Sequence, residues 1–190
     1  MTNESFTIDT TRYSGRPAEK RADAEEACYN LLEQCGISYT RADHAPAMTI
    51  ELCHEVEKVL GAKICKNLFL CNRQQTEYYL LLIDGDKVFK TKYLSAQLGC
   101  SRLSFADGEK MQELLNVQPG SASVLALLND KEQRVRLVID RPVLQEALFA
   151  CHPCKNTSTV SFATQELTEK LLPALQRTYT VVELPEVEDA

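Results

Sequence analysis

The chain has 190 residues, 44% hydrophobic and 25% charged, which suits a single globular domain with enough length to bury a core. A net charge of −6 weighs against a surface built throughout for nucleic acid, and no apolar run approaches the roughly 18 residues that span a bilayer. The polar start from Met1 to Arg12 does not read as a secretory leader, so the expected address is the cytoplasm, where the eight cysteines stay reduced.

Residues 1–16 read as a flexible arm ending near Gly15, and residues 17–190 as one domain. Pro17 suits a first helical turn, and Ala18 to Cys35 reads as a helix with Ala22, Ala27, Leu31 and Leu32 inward, stopped by Gly36. Ile37 to Thr40 is a short strand, and Thr49 caps a helix from Ile50 to Leu60 that Gly61 ends. Lys63 to Cys71 and Tyr78 to Ile83 are strands, with Asp84-Gly85-Asp86 as a tight turn before Val88 and Phe89. Leu94 to Leu98 is a short helix, Arg102 to Phe105 a short strand, and Asp107-Gly108 opens a helix through Leu115. A Gln118-Pro119-Gly120-Ser121 loop precedes an apolar run from Ser123 to Leu128 and a strand from Val135 to Asp140. Pro142 starts a short helix, Phe149 to Cys151 and Thr159 to Phe162 are strands, Thr164 caps a helix to Leu175, and Tyr179 to Leu184 closes the chain as a strand. The order lacks regular βαβ alternation, so the expected class is α+β: a single mixed, largely antiparallel sheet packed with helices.

Four features carry chemistry. Cys151-His152-Pro153-Cys154 is a Cys-x-x-Cys, which shuttles disulfides or binds metal in other contexts. Here a strand pattern follows instead of the helix that would lower a thiol pKa, and no second pair of cysteines supplies metal ligands. Strand alternation places Lys66 on one face with Ile64, Leu68 and Leu70, where a lysine either snorkels to water or waits for a phosphate or carboxyl group. The Gly120-Ser121-Ala122-Ser123 loop lets backbone N–H groups approach a ligand, although such a string also serves as a plain turn. Finally, Lys58, Lys63 and Lys66 cluster before one strand and Lys87, Lys90 and Lys92 follow the next: a solvated face, or a local basic path for one RNA end on an acidic protein.

Taken in order, four segments resemble the YbaK/prolyl-tRNA-synthetase-associated editing domain family of free-standing aminoacyl-tRNA deacylases, over roughly residues 24 to 184. They are Asp43-His44-Ala45-Pro46-Ala47-Met48-Thr49-Ile50-Glu51, Lys66-Asn67-Leu68-Phe69-Leu70, Pro119-Gly120-Ser121-Ala122-Ser123, and His152-Pro153 with Asn156-Thr157-Ser158-Thr159. The Lys-Asn-Leu-Phe-Leu string is similar to the ProX/PrdX-type prolyl-tRNA deacylases within that family. Val124 and Ala45 depart from it, standing where many members carry proline.

The resemblance implies hydrolysis of the 3′ ester of mischarged tRNA(Pro), alanyl before cysteinyl, with neither metal nor cofactor. It implies that Lys66, Gly120 and His152 act at the ester, with Gly120 and Ser121 offering backbone N–H groups to its carbonyl. Thr159 would shape the aminoacyl pocket with His152, Asn156 would orient the loop or a water, and His44 and Thr49 would sit where the terminal adenosine enters. The implied partner is the aminoacylated tRNA end, with prolyl-tRNA synthetase or an elongation factor beside it, and no membrane or DNA. A non-catalytic aminoacyl-tRNA- or synthetase-binding module and a thiol redox protein using Cys151 and Cys154 stand as rivals.

Overall fold

Two β-ladders carry the fold in the computed structural model of the chain, which describes residues 8–46 and 50–187. The first has four strands in the order β1-β2-β8-β7: β1 (Tyr13–Ser14), β2 (Thr40–Asp43), β8 (Ser158–Ala163) and β7 (Leu148–Cys151), all antiparallel. The second runs β5-β3-β4-β6-β9, with β5 (Ser104–Phe105), β3 (Cys65–Cys71), β4 (Tyr78–Asp84), β6 (Val135–Asp140) and β9 (Tyr179–Val182). Here β5, β3 and β4 pair antiparallel, while β6 and β9 add in parallel. A parallel bridge between Ile64 and Ala150 joins the ladders. The α+β class and largely antiparallel pairing are as expected, and the single sheet is resolved into two ladders meeting at that bridge.

The alternation of β3 divides the core. Cys65, Phe69 and Cys71 face the main cluster with Tyr29, Leu32, Leu125, Phe149 and Phe162. Ile64 joins Ala42, Val56, Leu60 and Ala150 beneath helix α2 (Ile50–Leu60), whereas Leu68 and Leu70 pack with Leu81, Ile83 and Leu94, the last on α3 (Thr91–Leu98). Lys66 lies between Ile64 and Leu68 on that second face, at the seam of the two smaller clusters.

Several elements differ from the sequence reading. Helix α1 spans Asp23–Gln34, not Ala18 to Cys35, and begins where Asp23, Glu25 and Glu26 meet the positive end of its dipole. The first strand is displaced from Ile37–Thr40 to Thr40–Asp43, since Ile37 N and Gly36 N are engaged in closing α1 on Leu32 O and Glu33 O. Residues 8–16 are not loose: Ile8 bridges His44 and Tyr13–Ser14 pair with Arg41 and Thr40. Val88 and Phe89 are irregular, and the apolar run Val124–Leu128 is a 3-10 helix capped by Ser123 Oγ. Helices α4 (Gly108–Leu115) and α5 (Arg141–Gln145) lie as expected. The last helical segment, residues 164–174, contains a π turn at Leu167–Leu171. Among the described residues no helix is long and apolar enough to cross a membrane.

Candidate functional site

Strand pairing assembles the site. Asp43 pairs with Ser158 at the end of β2, and His44 N continues the ladder onto Thr157 O at 3.0 Å. Along the face with Ala42 and Ala150 this brings His44, Thr159 and His152 together. Thr159 Oγ1 lies 2.9 Å from His44 Nε2 and 3.2 Å from His152 Nδ1, and the two rings are 5.8 Å apart.

One proton arrangement satisfies every contact. His44 Nδ1 faces Ala45 O at 2.8 Å and His152 Nδ1 faces Ser158 O at 2.9 Å, so both Nδ1 atoms donate. Thr159 O–H then donates to His44 Nε2 and accepts the shared Nδ1–H of His152. Both imidazoles are neutral, and His152 Nε2 has no hydrogen-bond partner among the described residues. Burial drives this: it lowers the pKa of His44 and pushes that of His152 down to about 4, against the support of the Ser158 carbonyl. Behind them, Ser158 Oγ donates to the buried carboxylate of Glu25 at 3.0 Å, anchoring the strand to α1.

Lys66 reaches the same region through the bridge between the ladders. Two residues beyond Ile64 and Ala150 stand Lys66 and His152, on parallel segments and on one face. Lys66 Nζ donates to Lys87 O at 3.3 Å, and among the described residues no carboxylate pairs with it. The basic clusters seen in the sequence thus separate: Lys58 pairs with Glu55, Lys63 with Asp84, and Lys87 is buried against Asp140, leaving Lys66, Lys90 and Lys92 without carboxylates among the described residues.

Gly120 takes φ +85° in the turn Gln118-Pro119-Gly120-Ser121, with proline second and glycine third as a type II turn requires. The turn closes through Ser121 N to Gln118 O at 2.9 Å. The Ser121 N–H expected to meet a substrate carbonyl is therefore engaged in the turn, and only the Gly120 N–H of that pair is left to offer. A side chain added at Gly120 would meet Asn156 Nδ2 at 3.7 Å, so the loop and the Asn156 segment adjoin. Asn67 was not singled out from the sequence, yet its Oδ1 accepts Val124 N at 2.8 Å and pins the loop's exit to β3. An amide amid the apolar β3 string was the signal. Thr49 lies outside the described residues.

Both thiols of the Cys-x-x-Cys are buried. Cys154 Sγ points to Cys28 Sγ at 3.3 Å, all eight cysteines are free, and among the described residues no group of three or more His, Cys, Asp or Glu could hold a metal ion. A separate cleft of about 720 Å³ beside α2, lined by Glu51, His54, Lys58, Lys63, Glu146 and Leu148, shares no residue with this site.

Known proteins converge on this chain. Residues 44–170 match the model of the aminoacyl-tRNA editing domain. The prolyl-tRNA editing protein ProX of Acetoanaerobium sticklandii is 32% identical over 162 residues, covering 85% of this chain and 98% of that protein. The prolyl-tRNA synthetase associated domain-containing protein 1 of Danio rerio is 26% identical, covering 87% and 90%. In fold, a crystal structure presented as a candidate trans-editing enzyme for prolyl tRNA synthetase superposes with a TM-score of 0.66 at 16% identity, covering 87% of this chain and all of that one.

Proposed function

The chain belongs to the aminoacyl-tRNA editing domain family, and on that premise we propose that it is a deacylase that hydrolyses alanine mischarged onto tRNA(Pro). Water adds to the ester carbonyl and the 3′ oxygen of the terminal adenosine leaves, giving free alanine and an intact tRNA. The observation that carries this reading is the neutral His44–Thr159–His152 relay set beside an uncompensated lysine.

An aminoacyl ester is already activated, so positioning and charge stabilisation can supply much of the rate. Lys66 provides the cation for the terminal phosphate or the charge growing at the ester, and the Gly120 N–H faces the carbonyl oxygen. His152, with its pKa near 4, stays unprotonated at neutral pH and presents Nε2 as an acceptor for substrate amine or water. It is too weak a base to carry the reaction by proton abstraction alone. Thr159 and His44 hold that tautomer, Asn156 orients the adjoining loop, and Thr49 is assigned to the adenosine entrance. A small pocket excludes larger side chains sterically, and proline, which must be spared, differs from alanine by its ring and secondary amine.

The test is single-turnover deacylation of alanyl-, cysteinyl- and prolyl-tRNA(Pro) by the wild type and Lys66→Ala. Alanyl-tRNA(Pro) should be cleaved fastest and prolyl-tRNA(Pro) spared, with cleavage abolished in the variant and its circular dichroism unchanged. An unchanged rate in Lys66→Ala would sink the assignment, preference for the cysteinyl ester would reassign the substrate, and tRNA binding without turnover would leave a recognition module. The names of the ProX and synthetase-associated relatives make prolyl-tRNA synthetase the first partner to try in a pull-down.

A further inference from the structure

We propose that the β5 edge of the five-stranded sheet is a docking platform for the unpaired nucleotides that lead into an RNA 3′ end, with Phe89 and Phe105 as its stacking surface. The proposal rests on the deacylase reading for its substrate and extends it to residues outside the site.

Phe105 is the most exposed large apolar side chain among the described residues, at 61%. It sits on β5, and its pairing with Leu70 puts it on the same face of β3 as Lys66 and Leu68. Leu70 lies four residue steps along the strand from Lys66, which is about 13 Å. Phe89 meets Phe105 edge-on, with ring centroids 6.3 Å apart and planes at 80°. Two residues before Phe89 lies Lys87, whose carbonyl takes the Lys66 ammonium, so one short segment connects the lysine to the aromatic pair.

The surrounding charge selects the occupant. Lys90, Lys92 and Arg102 flank this pair in sequence, and none has a carboxylate partner among the described residues. Elsewhere Arg16, Arg21, Lys63, Lys110, Arg134, Arg141 and Lys170 are ion-paired, and the other cations without an ion pair among the described residues, Arg12, Arg73, Lys131 and Lys155, are scattered along the chain outside this segment. On a chain of net charge −6, cations without ion pairs that flank the exposed Phe105 and the half-buried Phe89 form a local anion path with a stacking face. That combination fits single-stranded RNA, whose phosphates need cations and whose unstacked bases need rings. An acidic peptide would use the cations and leave the rings idle.

The experiment measures fluorescence anisotropy of uncharged tRNA(Pro), and of the same RNA trimmed of its unpaired 3′ tail, with the wild type, Phe105→Ala, Phe105→Trp and the double variant Lys90→Ala/Lys92→Ala. Phe105→Ala should weaken binding of the intact RNA about 5- to 150-fold, the span of one lost base–aromatic stack, and leave binding of the trimmed RNA unchanged. Phe105→Trp should restore it. The double lysine variant should lower the salt dependence of log K by about 0.7 for each phosphate contact removed. Equal affinity of wild type and Phe105→Ala for both RNAs, with an unchanged salt slope in the lysine variant, would overturn the platform. The two readings separate cleanly: a wild type that needs the tail to bind but cleaves no ester keeps the platform and loses the deacylase. A wild type that cleaves alanyl-tRNA(Pro) with the same KM as Phe105→Ala does the reverse.

Discussion

Lys87 Nζ lies 2.8 Å from Asp140 Oδ2, and both side chains are buried. Asp140 also accepts Leu184 N through Oδ1 at 2.9 Å, so one carboxylate ties the 85–90 segment, the end of β6 and the chain beyond β9 together. Because the Lys87 carbonyl holds the Lys66 ammonium, this pair fixes where the site's cation stands. Asp140→Ala leaves the buried ammonium only the exposed Glu186 carboxylate, 3.5 Å away, and should cost about 3 kcal/mol in urea denaturation, with Lys66 less well held as a result. Combining Lys87→Met with Asp140→Leu replaces the pair by apolar bulk and should recover most of that stability. A single Asp140→Ala variant as stable as wild type would show that the ammonium finds water.

This pair also marks the limit of what the sequence could say. Lys87 read as one of three cations in a basic cluster, because its distant partner Asp140 is 53 residues away and closes a contact only through the parallel pairing of β4 with β6. The same holds for β1, whose two residues carry too little pattern to be seen and pair with neighbours far along the chain, whereas β5 was legible within Arg102 to Phe105 but its pairing with β3 was not. Local signals did better. The bounds of α2 and β6 match, since each is a strongly periodic run closed by its own punctuation, Gly61 for the helix and Arg141-Pro142 for the strand. Strand alternation likewise put Lys66 with Ile64, Leu68 and Leu70. What it could not show was that Ser121 N–H turns inward to Gln118, a choice made by turn geometry rather than residue type.

Gly85 and Gly99 should respond differently to the same substitution. A Cβ at Gly85 would lie 2.6 Å from Ile64 O, a backbone atom that cannot swing aside, whereas one at Gly99 meets nothing within 4 Å. Gly99 carries only the conformational demand of φ +63° at the end of α3. Gly99→Ala should therefore cost about 1 kcal/mol and Gly85→Ala about 1–3 kcal/mol. Thermal denaturation ranks them. Since Ile64 bridges Ala150 and lies two residues from Lys66, Gly85→Ala should also slow deacylation, and Gly99→Ala should not.

The thiols should label in the order of their exposure. Cys35, Cys53 and Cys100 are half-buried, whereas Cys28, Cys65, Cys71, Cys151 and Cys154 are buried. Burial pushes the Cys151 thiol up to about 12 and raises that of Cys65, while the Cys154 contact and burial together raise that of Cys28. Thiolates are the reacting species, so iodoacetamide on the native protein should modify the first three sites and reach the others only after unfolding. Peptide mass spectrometry before and after urea reads this directly. Rapid native labelling of Cys151 or Cys154 would return the dithiol to contention.

Acid should weaken the fold through the two site histidines. His152 has its pKa pushed down from 6.5 to about 4, and that of His44 is lowered too, both chiefly by burial. Between those values the unfolded chain binds protons that the folded chain refuses, so stability is complete above about pH 6.5 and falls as the pH drops toward 4. For His152 alone the full loss is roughly 3 kcal/mol. Its position makes the reason plain: a protonated ring would keep its Nδ1 bond to Ser158 O but bring a charge beside His44 in a site without a facing carboxylate partner among the described residues. Urea denaturation from pH 4 to 7 should thus show a slope that His152→Gln reduces, because glutamine can donate to Ser158 O without titrating. A slope identical in wild type and His152→Gln would show that this imidazole titrates in the fold as it does in the free chain.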